Sequence, residues 1–208
     1  MLNLKEISSI VIATLIIGIT INLFKGVETL FYTILAVFCV IIINILAKKI
    51  TSFYLDSEIE VGFWKVERYG FKPSQYFKKA IHAGIILPIL VLIISMGTLP
   101  WYASLQSEVK PLSHKAVRRS GLLSFTEISE NDLSLISAAG VASVLILSFF
   151  AYIVNLPLLS RIAIHFAFFN MLPISSLDGA KLFFGNKPLW FVLGIITLIA
   201  LFYSFFLV

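Results

Sequence analysis

Nine polar side chains lie inside, or at the ends of, stretches of this chain that are otherwise apolar. They are Asn22, Asn44, Lys48, His82, Asn155, His165, Asn170, Asp178 and Lys181. Because ionisable and strongly polar groups are costly to place in apolar membrane segments, each one is a candidate for binding or catalysis. Carboxylates and imidazoles are also the side chains that metal sites and proton-transfer sites use.

The most informative stretch runs from Phe169 to Gly179, at the end of an apolar segment, and reads FNMLPISSLDG. A proline within an apolar helix frees backbone groups, which then need protein or water around them. Asp178 follows that proline by five residues. The ordinary alternative is a proline-kinked helix that ends in a common Asp-Gly turn.

The pattern Asn170-x-x-Pro173-x-x-x-Leu177-Asp178-Gly179 resembles the NxxPxxxLDG motif of the site-2 protease family, the intramembrane zinc metalloproteases. In that family the aspartate of the motif is the third zinc ligand, so the resemblance implies that Asp178 is a metal ligand if a metal is bound. The segment from Ala139 to Val144 is similar to the family's AGPxxN segment but lacks its Pro and Asn. The resemblance covers about residues 29 to 185.

The other two zinc ligands of the family come from HExxH, in which two histidines one helical turn apart bind zinc and the glutamate is the general base. By position, the matching residues here are Asn44, Ile45 and Lys48. These degenerate positions offer no catalytic residue, and we expect no cofactor unless zinc is retained in an unconventional site. A site that combines His165 with Asp178 fits no usual ligand spacing. The three histidines of the chain include no pair with the required spacing: His82, His114 and His165.

Asn44 and Lys48 are four residues apart and share one face of a helix. In the family's geometry that face is directed at the aspartate of the second motif. The resemblance therefore implies a charge pair, in which the Lys48 ammonium gives Asp178 the positive charge that zinc otherwise supplies. The alternative is that Lys48 and Lys49 extend along the helix to the water interface.

The composition indicates that membrane helices position these residues. The chain has 208 residues, of which 59% are hydrophobic and 13% charged, whereas soluble domains have about 25% charged residues. A water-soluble enzyme is excluded, and the long apolar runs exclude a barrel of alternating strands. Six apolar segments of about the length that crosses a bilayer span residues 7–24, 29–47, 81–103, 133–157, 160–176 and 188–208. We predict an all-α integral membrane protein that forms one multi-pass domain over residues 1–208.

Two polar loops, residues 48–80 and 104–132, separate the apolar segments. The first loop carries seven Lys and Arg residues and the second carries four, so the first loop and the N-terminus are expected in the cytoplasm. Alternating residues predict a short cytoplasmic β element near residues 57–68. The resemblance implies that this element is a template for an extended substrate, and the alternative is a hairpin that covers the end of the bundle.

The second loop ends in Ser129-Glu130-Asn131-Asp132, which predicts a capped helix start. The basic residues 115–119 either rest on lipid headgroups or form a solvated loop. If all six segments crossed, Lys48 and Asp178 would lie on opposite faces of the membrane. Segment 81–103 contains Pro88, Gly97 and Pro100, and we therefore predict that it bends back instead of crossing.

These observations, with the resemblance, predict a catalytically inactive pseudoprotease in the cell membrane that binds a transmembrane segment or a partner protein within the lipid bilayer. Two alternatives stay open: an active intramembrane metalloprotease with an unconventional zinc site, and a small transporter or channel. The net charge of +5 is typical of membrane-surface loops and not of a nucleic-acid partner. The single cysteine, Cys39, excludes an internal disulfide and a CxxC metal site.

Overall fold

A computed structural model of the chain describes residues 3–23, 26–68, 76–111 and 128–206, and this part is mostly helical. The helices are α1 (Leu4–Asn22), α2 (Leu30–Tyr54), α3 (Ala83–Ile94), α4 (Glu130–Ile153), α5 (Pro157–Met171), α6 (Asp178–Gly185) and α7 (Lys187–Phe206). A 3₁₀ turn, Val27–Thr29, precedes α2. The strands are β1 (Ser57–Phe63), β2 (Val66–Arg68), β3 (Tyr76–Ile81) and β4 (Leu105–Pro111). Residues 115–119 and His114 lie outside the described residues.

Four helices, α1, α2, α4 and α7, are long and apolar enough to cross a membrane. The other two predicted segments differ from the expectation, since 81–103 contains the 12-residue helix α3 and 160–176 contains the end of the 15-residue helix α5. Both are shorter than the ~20 residues that a crossing requires. Helix α5 ends at Met171 because Pro173 disfavours helical backbone in the residue before it. Met96 and Gly97, which have positive φ values, follow the end of α3.

Helix α2 lies at the centre of the bundle and packs against α1, α4 and α5. Its inward side chains include Val37, Val40 and Ile41, all almost fully buried. Helix α4 begins as the sequence predicts, because the Ser129 hydroxyl caps it by accepting a hydrogen bond from the Asn131 backbone at 3.2 Å. The long helices thus form one core around α2.

Two small antiparallel sheets stand at one end of the bundle, which we call the sheet end. Strand β1 pairs with β4 from Ser57 opposite Pro111 to Phe63 opposite Leu105, and β2 pairs with β3. The predicted β element near 57–68 is therefore present as β1 and β2. The all-α class was incomplete, because β3 and β4 lie in segments for which no strand was predicted.

The chain between β1 and β4 leaves the sheet end and returns to it. The Trp64 backbone N–H donates to the Ser104 carbonyl at 2.9 Å, and the Gly84 N–H donates to the Trp64 carbonyl at 2.9 Å. Helix α3, which lies between these points, is only about 18 Å long. The segment 81–103 therefore bends back, in agreement with the prediction from its prolines. This bend allows Lys48 and Asp178 to lie at the same end of the molecule.

We call the chain between β1 and β4 the excursion, and the backbone contacts of Trp64 with Gly84 and Ser104 its neck. The close approach at this neck depends on Gly84. A Cβ atom at Gly84 would lie 2.0 Å from the Ser104 carbonyl oxygen and 2.9 Å from the Trp64 nitrogen. Both of those atoms belong to the backbone, so relief requires a backbone shift. We expect Gly84→Ala to lower the midpoint of thermal unfolding in detergent by several degrees, as for other overpacked sites.

The matched control is Gly62→Ala on β1, where an added Cβ meets no atom within 4 Å. This variant should unfold within about a degree of the wild type, because the added methyl group displaces no neighbouring atom. Equal midpoints for the two variants would show that the close approach at Gly84 contributes nothing to stability.

Candidate functional site

The candidate site is a buried ion pair between α2 and α6. The Lys48 ammonium lies 2.5 Å from Asp178 Oδ2, and the two side chains are 7% and 3% exposed. Lys48 projects from the last turns of α2, and Asp178 is the first residue of α6, where the helix dipole favours a negative charge. The structure thus brings together the two residues whose pairing the resemblance implies, and the Lys48 ammonium does not reach the surface.

Asn44 and Gly140 complete the surroundings of the Lys48 side chain. A Cβ atom at Gly140 would lie 2.5 Å from Lys48 Cε and 2.9 Å from Asn44 Nδ2. Gly140, in the Ala-Gly segment of α4, therefore leaves the space that the lysine stem occupies. The Asn44 amide nitrogen is buried and has no hydrogen-bond partner among the described residues.

A cavity of about 10 Å³ borders this pair. Its lining includes Asn44, Lys48, Gln106, Ser107 and Asn170. A space of this size holds about one water molecule. A peptide substrate does not fit beside the ion pair in this conformation.

The remaining residues of the LDG motif hold the backbone around Asp178. Leu177 is fully buried in a small second core with Trp64, Ala83 and Ala103. Gly179 is required by close packing, because a Cβ there would lie 2.1 Å from the Met171 carbonyl oxygen. These contacts fix the start of α6 against the end of α5.

The other two motif residues have local roles. The buried Asn170 side chain donates from Nδ2 to the Phe166 carbonyl at 2.9 Å, within α5. Pro173 is exposed in the link between α5 and α6. The motif therefore determines how the chain turns from α5 into α6, and Asp178 is the motif residue that the turn delivers to Lys48.

The donor set around Asp178 does not fit zinc. Zinc in proteins is held by thiolate, imidazole and carboxylate groups, whereas the two expected histidine positions carry the amide of Asn44 and the ammonium of Lys48, and the aliphatic Ile45 stands at the general-base position. Ile45 is itself buried in the main core. Among the residues that the structure describes, no group of three or more His, Cys, Asp or Glu side chains is placed to hold a metal ion.

The structure places His165 in an aromatic cluster. Its ring stacks on Tyr102 at 5.5 Å between centroids and meets Phe205 edge-on at 5.8 Å. Its Nδ1 lies 2.8 Å from the Arg161 carbonyl, one turn earlier in α5. These contacts give His165 a packing role between α5, α7 and the segment that precedes β4.

Other residues of the initial set lie in turns or at helix ends. Asn22 closes the turn between α1 and α2, where its Nδ2 donates to Gly26 and its Oδ1 accepts from Thr29, both at 2.6 Å. Asn155 has a positive φ of 59° in the turn between α4 and α5. His82 is exposed at the start of α3.

Lys181 joins the ion pair to β4. Its ammonium donates to the Ser107 carbonyl and, at 3.0 Å, to the Ser107 hydroxyl. Desolvation by burial lowers the pKa of Lys181 to about 8, although the nearby Asp178 carboxylate opposes this shift. The Ser176 hydroxyl donates to the Gln106 side-chain oxygen on the same strand. The LDG segment is thus held to β4 by two side-chain contacts.

Sequence reasoning missed a second buried charge cluster at the sheet end. Glu6 is 4% exposed. Its carboxylate lies 2.9 and 3.0 Å from the Lys49 ammonium and accepts the Val61 backbone N–H at 2.9 Å. Lys49 is therefore paired with α1 instead of extending freely to the interface. The presence of Glu6 in the first turn of the apolar helix α1 was the available signal in the sequence. The neighbouring residues do not indicate that Lys49 and Val61 are its partners.

The cluster around Glu6 and the cluster around Asp178 and Lys181 bind the two outer edges of the β1–β4 sheet at paired residues. Val61 and Ser107 face each other across the sheet, and the Val61 N–H and the Ser107 carbonyl both point away from the partner strand. Glu6 binds the first group and Lys181 binds the second. An additional strand cannot hydrogen-bond these groups unless the charged side chains move.

Comparison of the chain with protein-family models, with curated proteins and with solved structures gives no match. The class that the fold itself defines is a mostly helical protein with four helices of membrane-crossing length and a small sheet at one end.

A double-mutant cycle with Lys48→Met and Asp178→Asn measures the coupling between the two residues of the ion pair. Each single variant leaves one buried charge without its partner, which costs about 3 to 5 kcal/mol. The double variant removes both charges, and we expect its loss of free energy of unfolding to be much smaller than the sum of the two single losses. Reversible unfolding in mixed micelles measures all four proteins.

The control cycle uses Lys110→Met and Glu60→Gln, an ion pair at 2.5 Å whose side chains are more than half exposed. Water screens such pairs, so these two losses should add. Additive losses for Lys48 and Asp178 as well would mean that the buried contact does not couple the two residues.

Proposed function

We propose that this chain is a multi-pass membrane protein of the site-2 protease type in which an internal ion pair replaces the metal. It acts as a pseudoprotease that holds a transmembrane segment or a partner protein in the bilayer without cleaving it. The observation that carries the proposal is the buried contact of 2.5 Å between Lys48 and Asp178. The LDG motif and the degenerate HExxH positions meet at this contact.

The charge arrangement supports a loss of hydrolytic function. A metallopeptidase needs a metal that lowers the pKa of its bound water to ~7 and a nearby general base. Here the carboxylate is neutralised by an ammonium, and Ile45 stands where the base is expected. The Lys48 ammonium neutralises the buried Asp178 carboxylate. Unlike a metal ion, it cannot coordinate a water molecule and lower the pKa of that water.

The covered sheet edges favour a partner that packs against the helices. Extended peptides bind sheets by hydrogen-bonding to a free edge, whereas Glu6 and Lys181 occupy both edges of the β1–β4 sheet at the level of Val61 and Ser107. Helix α7 offers a different surface. Its residues Phe191, Ile195, Ile199 and Phe202 are all more than half exposed.

The proposed topology follows from charge and from the hairpin. The N-terminus and the sheet end lie in the cytoplasm, since the loop between α2 and α3 is rich in lysine. Because the segment between β1 and β4 returns to the sheet end, α4 starts on that same side. Helix α5 then brings Asp178 back to the level of Lys48.

Zinc stoichiometry tests the identity of the site. Elemental analysis of the detergent-purified wild type should give far less than one zinc per chain. The variant Asn44→His/Ile45→Glu/Lys48→His restores the two imidazoles and the general base, and we expect it to bind about one zinc, because Asp178 becomes the third ligand.

The control for the restored site is the same triple variant with Asp178→Ala, which should lose the metal. One zinc per wild-type chain that disappears in Asp178→Ala would contradict a pseudoprotease. A folded triple variant that binds no zinc would contradict the relation to the zinc proteases.

Photo-crosslinking in native membranes tests partner binding. A crosslinking amino acid at Ile195, 56% exposed on α7, should give a discrete adduct with a full-length membrane partner. The control position is Leu193 on the same helix, which is 9% exposed and faces the bundle. Adducts with cleaved fragments would indicate proteolysis, and a diffuse lipid-only product at Ile195 would argue against a protein partner on this face.

A further inference from the structure

Strands β2 and β3 form an antiparallel pair that begins beside the small second core. Val66 packs against the small second core around Trp64, whereas Tyr76, Phe77, Lys78 and Lys79 of β3 are all exposed. Side chains of successive strand residues point to opposite faces, so both faces of β3 are exposed. Two-stranded sheets of this kind are marginally stable in water.

Helix α3 determines where this hairpin lies. It follows β3 after a single residue, His82, and its apolar side chains Ile86, Ile93 and Ile94 are exposed by 47% to 73%. These side chains require hydrocarbon around them. Because α3 is short and the chain then returns, its start marks the edge of the hydrocarbon layer, and β3 lies next to that edge.

The side chains of the hairpin suit this position. The exposed aromatic residues Tyr76 and Phe77 are followed by the exposed lysines Lys78 and Lys79, and aromatic and basic residues are enriched at the membrane interface. Lys65, just before β2, adds a third exposed lysine. The exposed acid on the described part of the hairpin is Glu67. Of the three acids on β1 and β4, Glu60 pairs with Lys110 and Glu108 accepts from Gln106, and Glu58 is exposed at the start of β1.

We propose that this hairpin is a binding site for the headgroups of anionic phospholipids in the cytoplasmic leaflet. The lysine ammoniums contact the lipid phosphates, and Tyr76, Phe77 and Ile81 lie at the boundary with the acyl chains. The inference rests on the proposed placement of the chain in a bilayer but not on the absence of zinc or on a protein partner. It assigns a ligand to a surface that the ion-pair site does not involve.

The test uses a tryptophan reporter in the hairpin. The variant Tyr76→Trp is reconstituted in vesicles of phosphatidylcholine and phosphatidylglycerol, and brominated forms of either lipid quench its fluorescence. The same protein with Tyr76 unchanged gives the background from the three native tryptophans. The quenching curves give the preference of the hairpin for the anionic lipid.

We expect a preference for phosphatidylglycerol of the order of tenfold at low salt, since each lysine at an anionic surface contributes about fivefold at most. The preference should fall as salt screens the charges. In the reporter background, Lys78→Gln/Lys79→Gln should bring the ratio close to one. The matched variant Lys78→Arg/Lys79→Arg keeps both charges and should keep the preference.

Equal quenching by the two lipids in the reporter protein would overturn the proposal, as would a preference that survives removal of both lysine charges. Quenching by neither lipid would show that the hairpin does not lie at the bilayer surface. None of these results depends on zinc content or on crosslinking at α7, so failure of the lipid site is distinguishable from failure of the proposed function. Retained quenching by both lipids in the glutamine variant shows that its hairpin still lies at the bilayer, and the arginine variant shows that the charges set the preference.

Discussion

The buried ion pair between Lys48 and Asp178 constrains the arrangement of the helices around it. Two charges removed from water are tolerated only when they neutralise each other and the surrounding geometry is accurate. Gly140 accommodates the lysine stem and Gly179 allows α6 to start against the end of α5. The positions of α2, α4, α5 and α6 relative to one another are thus tied to a single contact.

A second constraint acts through the sheet. Its two strands are bound from opposite sides by charged side chains, Glu6 from α1 and Lys181 from α6. The sheet therefore connects α1 to α6, although these two helices are far apart in the chain. In the described part of the molecule, the sheet end is organised by buried charged groups, whereas the contacts of Asn22 with Gly26 and Thr29 in the turn between α1 and α2 are between neutral groups.

Much of this arrangement was accessible from the sequence, because its signals are local. Hydropathy identifies α1, α2, α4 and α7, the cap at Ser129 identifies the start of α4, and the prolines and glycine of 81–103 predict its bend. The juxtaposition of Lys48 and Asp178 depends on a resemblance between motifs. By contrast, β4 and the contact of Glu6 with Val61 arise from pairing across many residues, which no local pattern encodes. Apolar content alone also overestimates the length of α3 and α5, since it does not register where proline and positive φ end a helix.

Because Trp64 contacts both Gly84 and Ser104, the chain between β1 and β4 starts and ends at the same place. Both ends of this stretch lie side by side in one sheet, so its length can change without altering the direction in which α4 enters the bundle. A change of length within it should therefore displace Asp178 less than a change of length in α5, because α5 leads directly to the start of α6. Evolutionary change in size should accumulate in this excursion, and the rest of the fold should keep its length.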